Sequence, residues 1–160
     1  MIKKDISLSV DIYKIIDELQ SADRSLLETA KAVTKLAYAP YSKFNVGAAA
    51  RLLDGKIVTG TNQENASYPV GICAERVLLS AVASQYGAAA ITTIAISYDN
   101  LNGVSKQPIS PCGICRQSLA EYEERTNQPI RIILSGLEGD IYIIEKVSYL
   151  LPLRFSSGNL

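Results

Sequence analysis

Apolar and polar residues along the chain follow two rhythms, one of period two and one near 3.6, and together they outline the elements. Residues 5–12 (Asp-Ile-Ser-Leu-Ser-Val-Asp-Ile) alternate, which predicts a short strand or extended arm. Ser25-Leu26-Leu27-Glu28 has the form of a capping box and opens a helix over 25–38, with Leu27, Ala30, Val33 and Leu36 apolar and Pro40 beyond its end. Residues 44–53 form a β-type run, Asp54-Gly55 reads as a hairpin turn, and 56–61 return. A loop rich in Asn, Ser, Pro and Gly (62–71) leads to Cys73, where a helix over 73–86 begins, stopped by Gly87. The nearly continuous apolar run 91–98 predicts a central strand. After a polar loop (99–110), Pro111-Cys112 opens a helix to about 124, and 129–135 and 140–145 are strands on either side of the 136–139 turn. Strands interleaved with helices predict an α/β fold, with helices packed on a mixed sheet. There is no internal repeat and no sign of a second domain, so residues 1–160 are expected to form one domain.

Composition narrows the functional classes. The chain has 160 residues, 48% hydrophobic and 20% charged, as expected of a soluble globular domain that folds without disulfide staples. Its 16 basic and 16 acidic residues cancel, and no run of Lys or Arg supplies a patch for polynucleotide phosphates. No stretch of 18 apolar residues occurs, and the N-terminus lacks the continuous apolar core of a signal peptide, so a cytoplasmic location is expected, with no membrane partner.

The chemistry lies in three cysteines, Cys73, Cys112 and Cys115, in a chain with no histidine. An odd number cannot pair fully within one chain, and the expected compartment keeps thiols reduced. Each cysteine segment lies at a predicted helix start, where unpaired N–H groups lower the pKa of a thiol. Cys112 and Cys115, three residues apart, share a helix face, and with Cys73 they make a three-thiolate set suited to tetrahedral Zn²⁺. A structural zinc site closes with four protein ligands. Unless a carboxylate serves as the fourth, that position is left to water, as in catalytic sites. Zinc can bring the pKa of such a water from about 15.7 toward about 7, on the order of 12 kcal/mol of help in making hydroxide. Three thiolates temper the metal's acidity, and Arg76 and Arg116, each beside a ligand cysteine, are placed to offset this by hydrogen-bonding the sulfurs. Glu75, two residues past Cys73, can sit beside that water and move its proton without binding the metal.

Cys73-Ala74-Glu75-Arg76 followed by Ser110-Pro111-Cys112-Gly113-Ile114-Cys115-Arg116-Gln117 resembles the pattern of the zinc deaminases. Tyr41 to Ala49, Asn62 to Tyr68, and the tail with Leu150, Leu151, Pro152 and Phe155 extend the resemblance to the small, homotetrameric cytidine deaminases over roughly 25–156. That resemblance implies a three-layer α/β/α sandwich around a five-stranded mixed sheet, with one Zn²⁺ per chain held by Cys73, Cys112 and Cys115. It implies that Glu75 takes the proton from water, protonates N3 of the ring and delivers a proton to the leaving ammonia. It also implies that the Ala74 N–H and the Ser110 carbonyl hold the pyrimidine edge, and that Asn62 and Glu64 hydrogen-bond the ribose 3′-hydroxyl. Phe44 would stack near the base, and Ala66, Tyr68 and Phe155 of neighbouring subunits would close the pocket. The implied reaction is hydrolysis of cytidine and 2′-deoxycytidine to their uracil nucleosides and ammonia, in pyrimidine salvage. Residues 1–20 exceed the minimal family form and are expected to form a packed extra strand.

Other readings of the same residues remain. Cys112-Gly113-Ile114-Cys115 alone fits a thioredoxin-like redox pair, which would leave Cys73 and Glu75 idle. A carboxylate as fourth ligand would make the zinc structural. A related deaminase could act on blasticidin S or a modified cytosine nucleoside, although Asn62 and Glu64 suit a sugar hydroxyl better. Polynucleotide editing is opposed by the neutral charge balance, and editors of this superfamily usually carry His where Cys73 stands.

Overall fold

Side chains along the central strands alternate between two cores, because these strands are covered on both faces. In the computed structural model, which describes residues 1–160, three strands carry this alternation: β2 (Phe44–Leu52), β4 (Ile91–Asn100) and β5 (Arg131–Ser135). Ala48, Ala50, Ile94, Ile96, Ile132 and Leu134 enter one core, with Leu78 and Val82 of helix α2 (Ala74–Tyr86) and Leu119 and Tyr122 of helix α3 (Gly113–Arg125). Ala49, Ala95 and Ile133 enter the other, beneath Leu26, Leu27 and Ala30 of helix α1 (Ser21–Val33). Period two in the strands thus divides one apolar sequence between two helical layers.

The remaining strands are β1 (Asp11–Tyr13), β3 (Ile57–Thr61) and β6 (Ile141–Ile144), and the sheet order is β1-β6-β5-β4-β2-β3. Only β4 and β5 run parallel; every other neighbouring pair is antiparallel. Because β2 lies antiparallel between them, β3 and β4 point the same way. Helix α2 follows β3 and α3 follows β4, so both helices begin at one end of the sheet. Open α/β sheets commonly bind ligands there, outside the carboxyl ends of their strands.

The sheet has six strands, not the expected five, because Asp11–Tyr13 pairs with Ile141–Ile143 on the free edge of β6. This strand is shorter than the 5–12 alternation predicts: β6 has only four residues and offers partners to three. Val10 packs on the α2/α3 core, and Tyr13 and Ile16 pack on the α1 core. Helix α1 also begins four residues before the expected Ser25. Asp23 in its first turn is buried, with its carboxylate 2.7 Å from Arg131 of β5, and that pair draws the earlier turn onto the sheet. Ser25 consequently lies inside the helix, where its carbonyl accepts the Thr29 hydroxyl at 2.8 Å. The helix ends at Val33 and continues as a tighter turn, Thr34–Leu36.

Candidate active site

Two helix starts bring the cysteines together. Cys73 caps α2, Cys112 caps α3, and Cys115 lies in the first turn of α3. Their Sγ atoms all lie within 4.8 Å of one another, Cys73 to Cys112 at 3.8 Å and Cys112 to Cys115 at 3.5 Å. With Zn–S bonds of about 2.3 Å, a tetrahedral ion needs sulfurs about 3.8 Å apart, so this donor set fits zinc. No carboxylate joins the cluster and the chain has no histidine, which argues against a closed, four-ligand structural site.

The thiols share their protons unequally. Hydrogen bonding from Cys115 pulls the Cys73 thiol down to about 6 against the cost of burial, and the same contact pushes Cys115 up. The cluster thus favours the thiolate at Cys73, with the Arg76 charge a smaller contributor. Glu75 is 5% exposed, and burial pushes its carboxyl up; its backbone N–H and the Cys115 thiol pull the other way. A buried carboxyl with a raised pKa beside a metal-ligating cluster is suited to proton transfer near neutral pH.

Close packing sets the position of that carboxyl. A Cβ on Gly60 of β3 would lie 2.5 Å from the Ala74 carbonyl oxygen and 2.5 Å from the Leu78 nitrogen, so only glycine lets α2 start this close to the sheet. Ala74, as the first residue of α2, has no carbonyl one turn back to receive its N–H. Ser110 is exposed, immediately before Pro111 and Cys112. Arg116 was expected on a sulfur. Its Nε donates instead to the Pro111 carbonyl at 2.8 Å and its Nη1 to the Leu150 carbonyl at 3.4 Å, so it braces the backbone that carries Cys112. Arg76 is half-buried and borders a cleft between α2 and α3 with Ser80, Glu121 and Arg125.

Two further expected residues, Glu64 and Tyr68, line a cleft of about 370 Å³ together with Tyr41, Ser42, Asn65 and Gly71. Glu64 accepts the N–H groups of Tyr41 (2.9 Å) and Ser42 (3.3 Å), and its carboxyl is held below the usual range, first by the Ser42 hydroxyl. The Asn62 amide is bound to strand β2 at both ends: Oδ1 accepts the Val46 N–H at 2.7 Å and Nδ2 donates to the Phe44 carbonyl at 2.9 Å. Phe44 stacks on Tyr98, ring centroids 4.7 Å apart. Tyr68 meets Tyr41 edge-on across the cleft and is 73% exposed. Ala66 is exposed, and Phe155 projects from the tail with 61% of its surface free; neither lines the cleft in a single chain.

Tyr41, Ser42 and Tyr98 were not singled out from the sequence. The first two lie in a motif whose only assigned member was Phe44. Tyr98 reaches Phe44 through the β2–β4 register, which pairs Tyr98 with Val46, and pairing register is not legible from a single strand's pattern.

Residues 20–127 match the family described as the cytidine and deoxycytidylate deaminase zinc-binding region. A cytidine deaminase of Halalkalibacterium halodurans is 39% identical over 135 residues, spanning 84% of this chain and 95% of its own length. One from Sporosarcina psychrophila is 38% identical over 84% of this chain and 92% of its own. Among solved structures, a cytidine deaminase from Burkholderia pseudomallei aligns with a TM-score of 0.70 and 39% identity, over 82% of this chain and 97% of that one.

Proposed function

The chain belongs to the cytidine and deoxycytidylate deaminase family, and on that premise we propose that it hydrolyses cytidine and 2′-deoxycytidine to uridine and 2′-deoxyuridine, releasing ammonia. The observation that carries this reading is the convergence of three thiols, with no fourth protein donor, next to the buried carboxyl of Glu75.

Cys73, Cys112 and Cys115 would hold one zinc ion, which when bound supplies the Lewis acidity that makes water nucleophilic near neutral pH. Glu75 takes a proton from the attacking water and places it on N3 of the cytosine ring, then carries the second proton to the departing 4-amino nitrogen. Burial of Glu75 supports both transfers, because it brings the carboxyl's proton affinity toward neutrality. The Ala74 N–H and the Ser110 carbonyl orient the pyrimidine edge, and Phe44, backed by Tyr98, supports its face. Glu64, kept anionic, accepts the sugar 3′-hydroxyl, and Asn62 offers the Nδ2 hydrogen left over from its backbone bonds. A 3′-hydroxyl contact serves ribose and deoxyribose alike. Arg116 holds the Pro111–Cys112 segment, and Arg76 adds positive charge near Cys73.

Exposure of Ala66, Tyr68 and Phe155 supports a homotetramer in which neighbouring subunits share their sites. No helix is long and apolar enough to cross a membrane, and the balanced charge supports free nucleosides over nucleic acid as substrates, in a cytoplasmic pyrimidine salvage role.

Ammonia release from cytidine, with deoxycytidine, blasticidin S and single-stranded DNA in parallel and zinc content measured, tests the proposal. Turnover of both nucleosides with about one zinc per chain is expected. Bound zinc with turnover only of blasticidin S, or with none, refutes it.

A further inference from the structure

The last ten residues carry almost no apolar burial, yet they follow a defined path along α3. Three contacts hold them there, and a fourth holds Leu150 just before them. Arg116 donates to the Leu150 carbonyl at 3.4 Å, and Gln117 Nε2 donates to the Phe155 carbonyl at 3.0 Å. Two turns further along the helix, one carboxylate takes two tail residues at once: Glu124 Oε2 accepts Arg154 Nη2 at 3.1 Å and Oε1 accepts the Ser157 hydroxyl at 2.8 Å. Arg154 Nε finds no acceptor, so the ion pair is single-pronged and the serine supplies the second attachment. These bonds, Ser157's first, hold the Glu124 carboxyl below its ordinary range.

Between the attachments the tail turns a corner it would not keep alone. Leu153 has φ of 57°, in the left-handed region that side chains with a Cβ enter only at a cost, and the residue is 91% exposed. Such strain persists where flanking contacts over-determine the backbone. Two residues past the corner stands Phe155, its carbonyl tied down and 61% of its surface exposed. A large apolar ring presented to water by a braced backbone has the form of a group offered to another surface.

Resting on the reading that Phe155 of one copy closes the cleft of another, we propose that Glu124 is a positioning residue that straps the tail along α3 and so sets where Phe155 stands. It touches no substrate. It acts through the tail, and α3 is also the helix that carries Cys115, so one element holds both a zinc ligand of its own site and the aromatic wall of a neighbour's.

The test compares Glu124→Ala with Phe155→Ala in the assembled, zinc-loaded protein. Loss of one surface ion pair and one hydrogen bond raises KM for cytidine about 3- to 30-fold. Zinc content and assembled mass stay at their original values, and kcat stays within about twofold. The charge swap Glu124→Arg with Arg154→Glu recovers most of the loss, which a general destabilisation would not allow. The chain has no tryptophan, so Phe155→Trp provides a single reporter whose anisotropy falls when Glu124→Ala is added. A Glu124→Ala protein with unchanged KM and anisotropy, while Phe155→Ala raises KM about tenfold or more, overturns the strap and leaves the shared pocket standing. An unchanged KM in Phe155→Ala overturns the shared pocket and the strap with it.

Discussion

Replacing Gly60 with alanine tests how the sheet positions the start of helix α2. The added Cβ would sit 2.5 Å from the Ala74 carbonyl oxygen, 2.5 Å from the Leu78 nitrogen and 2.9 Å from the Leu78 Cα. All three are backbone atoms of the first turns of α2, so no flexible side chain can yield. Ordinary contact begins near 3.4 Å, and the start of the helix must therefore withdraw by about 0.9 Å or β3 must bend away. Overpacking of this kind costs about 1–3 kcal/mol. In a domain of this size that lowers Tm by roughly 2–12 °C. Function should suffer more, because Ala74 lies between Cys73 and Glu75 while Cys112 and Cys115 ride on α3. A misplacement of about 1 Å can cost about 10²-fold in rate. Measured together, kcat/KM on cytidine, zinc content and thermal melting should show both effects. Gly113→Ala is the control: nothing lies within 4 Å of its Cβ, and its φ is not positive, so Tm should hold or rise. A Gly60→Ala protein with kcat/KM within about threefold of the parent refutes the positional argument even if Tm falls. Unchanged Tm refutes the packing argument as well.

Glu75→Gln should keep about one zinc per chain and lose at least about 10²–10⁴ in kcat. Because burial disfavours the charged carboxyl, the neutral amide should melt no lower than the parent; near-normal turnover would end the assignment. Cys112→Ala should lose its metal, and chelation of the parent protein should lower Tm by removing the linkage energy of a bound ion. Retention of full zinc by that variant would contradict the ligand set. Zinc affinity should fall between pH 7.5 and 5.5, because Cys73 is a thiolate above about 6 and a proton competes with the metal below it. Uptake should also release a proton, since Cys115 is held protonated by the same contact. Competition with a chelator, corrected for the chelator's own protonation, would expose an error if the affinity proved flat.

Much of this site was legible in the sequence because its chemistry is local. The C-x-x-C spacing puts Cys112 and Cys115 on one helix face whatever the remaining chain does, and Cys-x-Glu places Glu75 in the first turn of a helix, two residues past Cys73. The absence of histidine and of a fourth cysteine limited the donor set before any fold was known. The apolar runs 44–53, 91–98 and 129–135 likewise mark strands from their own composition. What pattern could not supply was distance between segments remote in sequence. Cys73 and Cys112, 39 residues apart, meet because β3 and β4 point the same way and each is followed by a helix. Arg116 took carbonyl partners instead of sulfurs, because the direction of a long side chain depends on neighbours such as Leu150 that only folding brings near. The sixth strand, the early start of α1 at Asp23 and the stacking of Phe44 on Tyr98 have the same origin. Spacing along the chain decides which groups share a helix face; pairing register and crossover direction decide which faces meet, and those belong to the whole fold.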